Sequence, residues 1–100
     1  MKLVFVSGKY RGDVDANIAH AKKAAIRLWQ AGYVVLCPHL NSALFDGLCP
    51  DEVWLAGDIE MMKRCDIIFM LSNWRDSEGA KAELEIAAKL GMGIMFEVPE

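Results

Sequence analysis

The amino-acid sequence predicts an α/β fold: a three-layer sandwich around a parallel four-stranded sheet in the order 2-1-3-4. Two observations predict it. Four short, nearly continuous apolar runs, KLVFVSG, YVVLC, DIIFML and GIMFEV, alternate with segments of helical periodicity. Such runs fit strands buried on both faces, and a β-α-β-α-β-α-β order places helices over both sides of a parallel sheet. Right-handed crossovers then favour the order 2-1-3-4. No repeat, low-complexity tract or linker interrupts the 100 residues, so one domain over 1–100 is expected.

The first strand ends at the turn signal of Gly8. Asp13 or Asp15 can cap the helix that follows, in which Ile18, Ala21, Ala25, Leu28 and Trp29 recur on one face, and Ala31-Gly32 supplies the stop. The second strand is closed by Pro38. Residues 39–50, with His, Asn, Asp, Gly and Pro, are expected to form the longest loop. Asp51 is the expected cap of a helix running to about Arg64. The third strand follows, then a loop over SNWRDS, a helix over 78–90 and the fourth strand.

Composition narrows the function classes. The formal net charge is −3 with no basic run, which argues against a nucleic-acid partner. No apolar stretch is long enough to span a bilayer. The opening MKLVFVSG is too short for a signal segment and reads as a strand. Cys37, Cys49 and Cys65 are odd in number and lack metal-ligand spacing, so reduced thiols and a cytoplasmic location are expected. No metal is expected, because no second His or Cys stands at ligand spacing from His39 and His20 lies inside the first helix.

In parallel sheets of this order, ligands sit beyond the carboxyl ends of the strands, near the switch between strands one and three. The segments to read for chemistry are therefore 7–13, 37–47 and 72–83. SGKYRGD is neither GxGxxG nor a P-loop. Gly8 and Gly12, backbone N–H groups, Lys9 and Arg11 suit an anion such as one phosphate; a polar turn with solvated charges fits equally well. His39 at the end of the second strand is read first as a loop or structural hydrogen-bonding residue. Asp58 shares a helix face with Trp54, Met62 and Cys65; a carboxylate there is either desolvated, with a raised pKa suited to proton donation, or reaches water at a partly covered face. Asp66 is expected to bond nearby backbone N–H groups.

The stretch DSEGAKAELEIA carries the sharpest question. Ser77 is a good N-cap, and Gly79 lets a ligand approach the backbone. Ala80, Leu84, Ala87 and Ala88 form the expected buried stripe, with Glu83 beside it. An ionised Glu83 facing a protonatable Asp58 would be the two-carboxylate arrangement of glycosyl transfer. An exposed Glu83 paired with Lys81 or Lys89 is the plainer alternative, and the pattern alone favours it.

Taken together, VSGKYRG, CPHLN, GDIEMMKRCD and SEGAKAELEIA resemble the nucleoside 2-deoxyribosyltransferase-like proteins, most closely their small phage and bacterial DUF4406 branch. The resemblance covers nearly the whole chain. It implies a flavodoxin or Rossmann-like fold, no cofactor, and a homodimer or larger assembly in which a neighbouring subunit closes each site. It implies Glu83 as the nucleophile at C1′ and Asp58 as the carboxylate that assists at the base. It also implies Gly8 as a close backbone approach to the ligand, and Arg11, Ser77 and His39 near the sugar or 5′ group, as in relatives that hydrolyse deoxynucleoside 5′-monophosphates. The chain departs from the family pattern in four ways. Phe5 stands near where the family often has a strand-one Tyr that touches the nucleophile, with Tyr10 the candidate replacement; Ala80 replaces a commonly seen Thr; Glu85 replaces a commonly seen Gly; the family's fifth strand is not found before Glu100.

The expected function is cleavage or transfer of the N-glycosidic bond of (2′-deoxy)nucleosides or their 5′-monophosphates, with Lys9 and Arg11 favouring the phosphorylated form. The alternatives are a nucleotide-binding module without turnover and a ligand-free interaction domain. Trp54, Met61 and Trp74 are candidates for a subunit interface.

Overall fold

The computed structural model describes residues 1–98. Strands β1 (Leu3–Ser7), β2 (Val34–Leu36), β3 (Ile67–Met70) and β4 (Gly93–Phe96) form one parallel sheet in the order β2-β1-β3-β4. The predicted order is therefore correct. Central β1 aligns Val4 with Val35 on one side and with Ile67 on the other. Asp66 accepts the Leu3 N–H at 2.9 Å, the structural role expected of it.

Side chains alternate across β1 because successive Cβ atoms point to opposite faces. Val4 and Val6 pack with Ala21, Ala24, Ala25 and Leu28 of helix α1 (Val14–Gln30). Phe5 packs the other way, with Ile68 and Met70 of β3, Met62 of α3 (Asp51–Lys63), and Ala80 and Ala87 of α4 (Glu78–Lys89). Burying Phe5 completely contributes about 2 to 3 kcal/mol. Asp13 is the cap of α1 and accepts the Ala16 N–H at 3.2 Å. The helix stops where Gly32, at φ +97, reverses the chain and Tyr33 N–H reaches back to the Leu28 carbonyl.

Several local expectations are corrected. Residues 38–41 are not loop: Pro38–Asn41 makes one helical turn, α2, started by a proline at its first position. Asp51 is the first residue of α3 and Pro50 precedes it as cap; an acidic first turn still complements the helix dipole. A 3-10 turn, Trp74–Asp76, occupies part of the expected SNWRDS loop. The outer strands are not buried on both faces: β2 is half-buried and β4 is largely exposed, since each has a neighbour on one side only. Trp29 and Ala88 lie outward, because their stripes are narrower than the sequence periodicity allows.

Candidate functional site

The carboxyl end of β1, the helical turn α2 that follows β2, the inner face of α3 and the start of α4 line a cavity of about 480 Å³. That volume falls in the range of small-molecule sites. Its lining includes Glu83, Asp58, Gly8, Lys9, Tyr10, Arg11, His39, Ser77 and Gly79, so the structure brings every sequence-predicted site residue to one place.

Glu83 lies in the second turn of α4, against the end of β1. Ser7 Oγ donates a 2.6 Å hydrogen bond to Glu83 Oε1. Ser7 follows Phe5 by two positions on β1 and therefore faces the same side, where Phe5 fills the core and Ser7 meets the carboxylate. Neither lysine weighed as a partner reaches Glu83: Lys81 pairs with Glu78 and Lys89 with Glu85. The plainer reading of Glu83 is thereby removed.

Burial pushes Glu83 up to about 7; the Ser7 bond pulls the other way, and the charge of Asp58 adds to the rise. Burial pushes Asp58 up to about 6. Of the two readings of Asp58 the desolvated one fits, but the order of the two groups is opposite to the expectation of an ionised Glu83 beside a protonated Asp58. The helix dipole fades beyond the first turn, and the desolvation of Glu83 outweighs it. Between about pH 6 and 7 the two carboxyls together hold about one proton, mainly on Glu83.

The loop after β1 is held from several directions. Asn73 Oδ1 accepts the Lys9 N–H at 3.0 Å, and His39 Nε2 lies 2.9 Å from the Lys9 carbonyl. Asn17 Nδ2 donates to the carbonyls of Tyr10 and Arg11, each at 3.0 Å. His39 is buried, donates to that carbonyl, and packs edge-on to Tyr10; burial lowers its pKa, so it serves as a neutral positioning group. Asn73 is itself steadied: its Nδ2 lies 3.4 Å from His20 Nδ1, and His20 Nε2 lies 2.6 Å from Glu97 Oε1. Glu97 also accepts the Ser72 N–H at 2.8 Å.

Two glycines that look alike in sequence have different reasons. A Cβ on Gly8 would stand 2.5 Å from Leu71 Cδ1 and 2.9 Å from Asn73 Oδ1, so β1 and the end of β3 meet here only over a glycine. At Gly79 a Cβ would meet nothing nearer than Ser77 Oγ at 3.8 Å; packing does not demand the glycine, and its bare face lines the cavity. Ser77 caps α4 by accepting the Ala80 N–H at 3.1 Å.

The remaining predicted residues are engaged in ways the sequence did not announce. Tyr10 does not replace the missing strand-one hydroxyl. Its OH donates to Asp46 Oδ1 and accepts the Leu44 N–H, at 3.0 and 2.9 Å, while Ser7 supplies the hydroxyl at Glu83. Arg11 pairs with Asp51 at 2.9 Å. Sequence reasoning missed Ser7, Asn17, Asn73 and Asp51. The two-residue alternation from Phe5 was the available signal for Ser7; the other three contacts span loops and leave no local pattern. Trp54, Met61 and Trp74 are partly buried, whereas Leu44, Phe45, Leu48, Val53 and Leu55 are exposed. Among the described residues, no group of three or more His, Cys, Asp or Glu is arranged to hold a metal, and no helix is long and apolar enough to cross a membrane.

Comparison with known proteins fits this architecture. The chain is similar in structure to a 2-deoxyribosyltransferase from Bacillus psychrosaccharolyticus, with a TM-score of 0.75 and 22% identity over 98% of this chain and 77% of that one. It is similar to a 2-deoxyribosyltransferase from Leishmania mexicana, with a TM-score of 0.72 and 20% identity over 96% of this chain and 63% of that one. No curated protein sequence matches. The family described as "Domain of unknown function (DUF4406)" matches residues 2–96. The chain therefore belongs to the DUF4406 family, and its fold is the one found in the 2-deoxyribosyltransferases.

Proposed function

We propose that the protein cleaves or transfers the N-glycosidic bond of nucleosides, the 2′-deoxy forms or their 5′-monophosphates, through a covalent glycosyl intermediate on Glu83. The observation that carries this reading is the half-buried carboxylate pair of one cavity, with Glu83 held by Ser7 and charge-coupled to Asp58. Ionised Glu83 attacks C1′ as the bond to the base nitrogen breaks. The electron pair leaves with the base, and Asp58 delivers its proton to it. Water, or the nitrogen of a second base, then attacks C1′ from the face the first base left; the ester bond to Glu83 breaks and the carboxylate is regenerated. Asp58, now ionised, takes the proton from the attacking group.

In this geometry the shared proton favours Glu83, so the productive arrangement needs it on Asp58. A base that presents an acceptor nitrogen to Asp58 draws the proton there, and the Ser7 hydroxyl steadies the charge left on Glu83. The proton thus moves to the acid as the substrate docks. The same reading includes a homodimer or larger assembly, because exposed Leu55 lines the cavity and exposed Phe45 packs on Trp54 of its wall; light scattering tests that part.

The test is chromatography of a panel of deoxynucleosides and their 5′-monophosphates after incubation with the protein, with and without a second free base. Wild type is expected to release base or to form the exchanged nucleoside, and Glu83→Ala to do neither while still folding. No product from any substrate overturns the reading.

A further inference from the structure

We propose that Asp51 is a specificity-determining residue: by pairing with Arg11 it makes the cavity select an uncharged nucleoside over the corresponding 5′-monophosphate. This rests on the nucleoside reading above. Three of the groups that could greet a phosphate near the loop after β1 are otherwise engaged. The Arg11 guanidinium, the residue best suited to a phosphate, is held by Asp51 at 2.9 Å. The Lys9 N–H donates to Asn73 and the Ala80 N–H to the Ser77 hydroxyl. The Lys9 side chain turns back along its own loop, with Cε and Nζ 3.6 and 3.8 Å from where a Cβ on Gly12 would stand.

The charge of the lining points the same way. Asp46, Asp51, Asp58, Asp76, Glu78 and Glu83 line the cavity, against Lys9 and Arg11. Even with one proton shared by Glu83 and Asp58, carboxylates outnumber cations, and a dianionic phosphate entering among them meets net repulsion. An uncharged 5′-hydroxyl does not. Arg11 and Asp51 come from different segments, the loop after β1 and the start of α3, so the pair also ties two walls of the cavity together.

The test is a binding titration of 2′-deoxyadenosine and 2′-deoxycytidine against their 5′-monophosphates, for wild type and Asp51→Asn, at low salt and at about 0.5 M salt. Asp51→Ser, which suits a helix start, replaces Asp51→Asn should the latter not fold. Wild type is expected to prefer the nucleosides. The substitution is expected to move the ratio toward the monophosphates by about three- to fivefold, the scale of an exposed ion pair, and high salt to shrink that change. Tighter binding of the monophosphates by wild type, or a ratio unmoved by the substitution, overturns the selectivity alone. Failure of all four ligands to bind overturns the nucleoside reading and this proposal with it.

Discussion

The two sides of the sheet follow different rules. On the α1 side, Val4, Val6, Ala21, Ala24, Ala25 and Leu28 close a layer of aliphatic side chains; among its buried described residues the ionisable group is the Cys37 thiol, which burial pushes up to about 11. On the α3 and α4 side, Phe5, Met62, Ile68, Met70 and Ala80 close a similar layer, but it gives way at the carboxyl end to Ser7, Glu83 and Asp58. A single strand builds both. The parity of β1 sends Val4 and Val6 to the sealed side, and Phe5 and Ser7 to the open one. The difference teaches that the site is the place where one core layer stops being apolar.

The comparison is sharpened most by removing the carboxylate. Glu83→Gln is expected to lower base release by about 10⁴-fold or more, as loss of a nucleophile does. The same substitution is expected to stabilise the fold at alkaline pH. The folded-state pKa of Glu83 is about 7, above its ordinary value of 4.5. Its contribution to stability is therefore fully present below pH 4.5 and is lost as pH rises through 7. Above that, the buried charge costs on the order of 3 kcal/mol at most. Melting temperatures from pH 4 to 9 should fall with pH more steeply in wild type than in Glu83→Gln. Parallel curves would mean that Glu83 is not desolvated.

The sealed side should answer differently. Leu28→Ala is expected to cost about 2 to 5 kcal/mol through lost burial and the cavity left behind. Calorimetry would read a lower melting temperature, while the pH profile of base release stays in place. A profile that moved with Leu28→Ala would break the separation between the two sides.

Ser7→Ala tests the boundary itself. With both carboxylates raised, kcat/KM should peak between about pH 6 and 7, falling where both are protonated and where both are ionised. Ser7→Ala is expected to lower kcat/KM by about 10- to 100-fold, the scale of a hydrogen bond to a charged group, with little loss of stability. Since that bond holds the Glu83 pKa down, the profile should move to higher pH. A uniform drop without movement would assign Ser7 a purely structural part.

The fold was legible because the strands are short, apolar and separated by clear stops, and because parallel connections leave few strand orders. The cavity could be located for the same reason: the strand ends fix where loops converge. What escaped were contacts made across loops. Ser7 reads as half of a turn until Glu83, 76 residues later, is placed against it. Asp51 reads as a helix cap until Arg11, 40 residues earlier, reaches it. Pro38–Asn41 was hidden because a single helical turn has no periodicity to detect. The order of the two carboxylate pKa values depends on degrees of burial, which spacing along a helix does not encode.

The clamp on the Lys9 peptide has a further consequence, for the hydrogen bookkeeping of a ring two bonds away. A backbone N–H can only donate, so the Asn73 amide must turn its oxygen toward Lys9 and its nitrogen toward His20. That nitrogen can only donate as well, which leaves His20 Nδ1 to act as acceptor. That assignment puts a ring hydrogen on Nε2, aimed at the Glu97 carboxylate. One peptide of the loop after β1 thus selects the tautomer of a histidine on α1, and substituting Asn73 would release both.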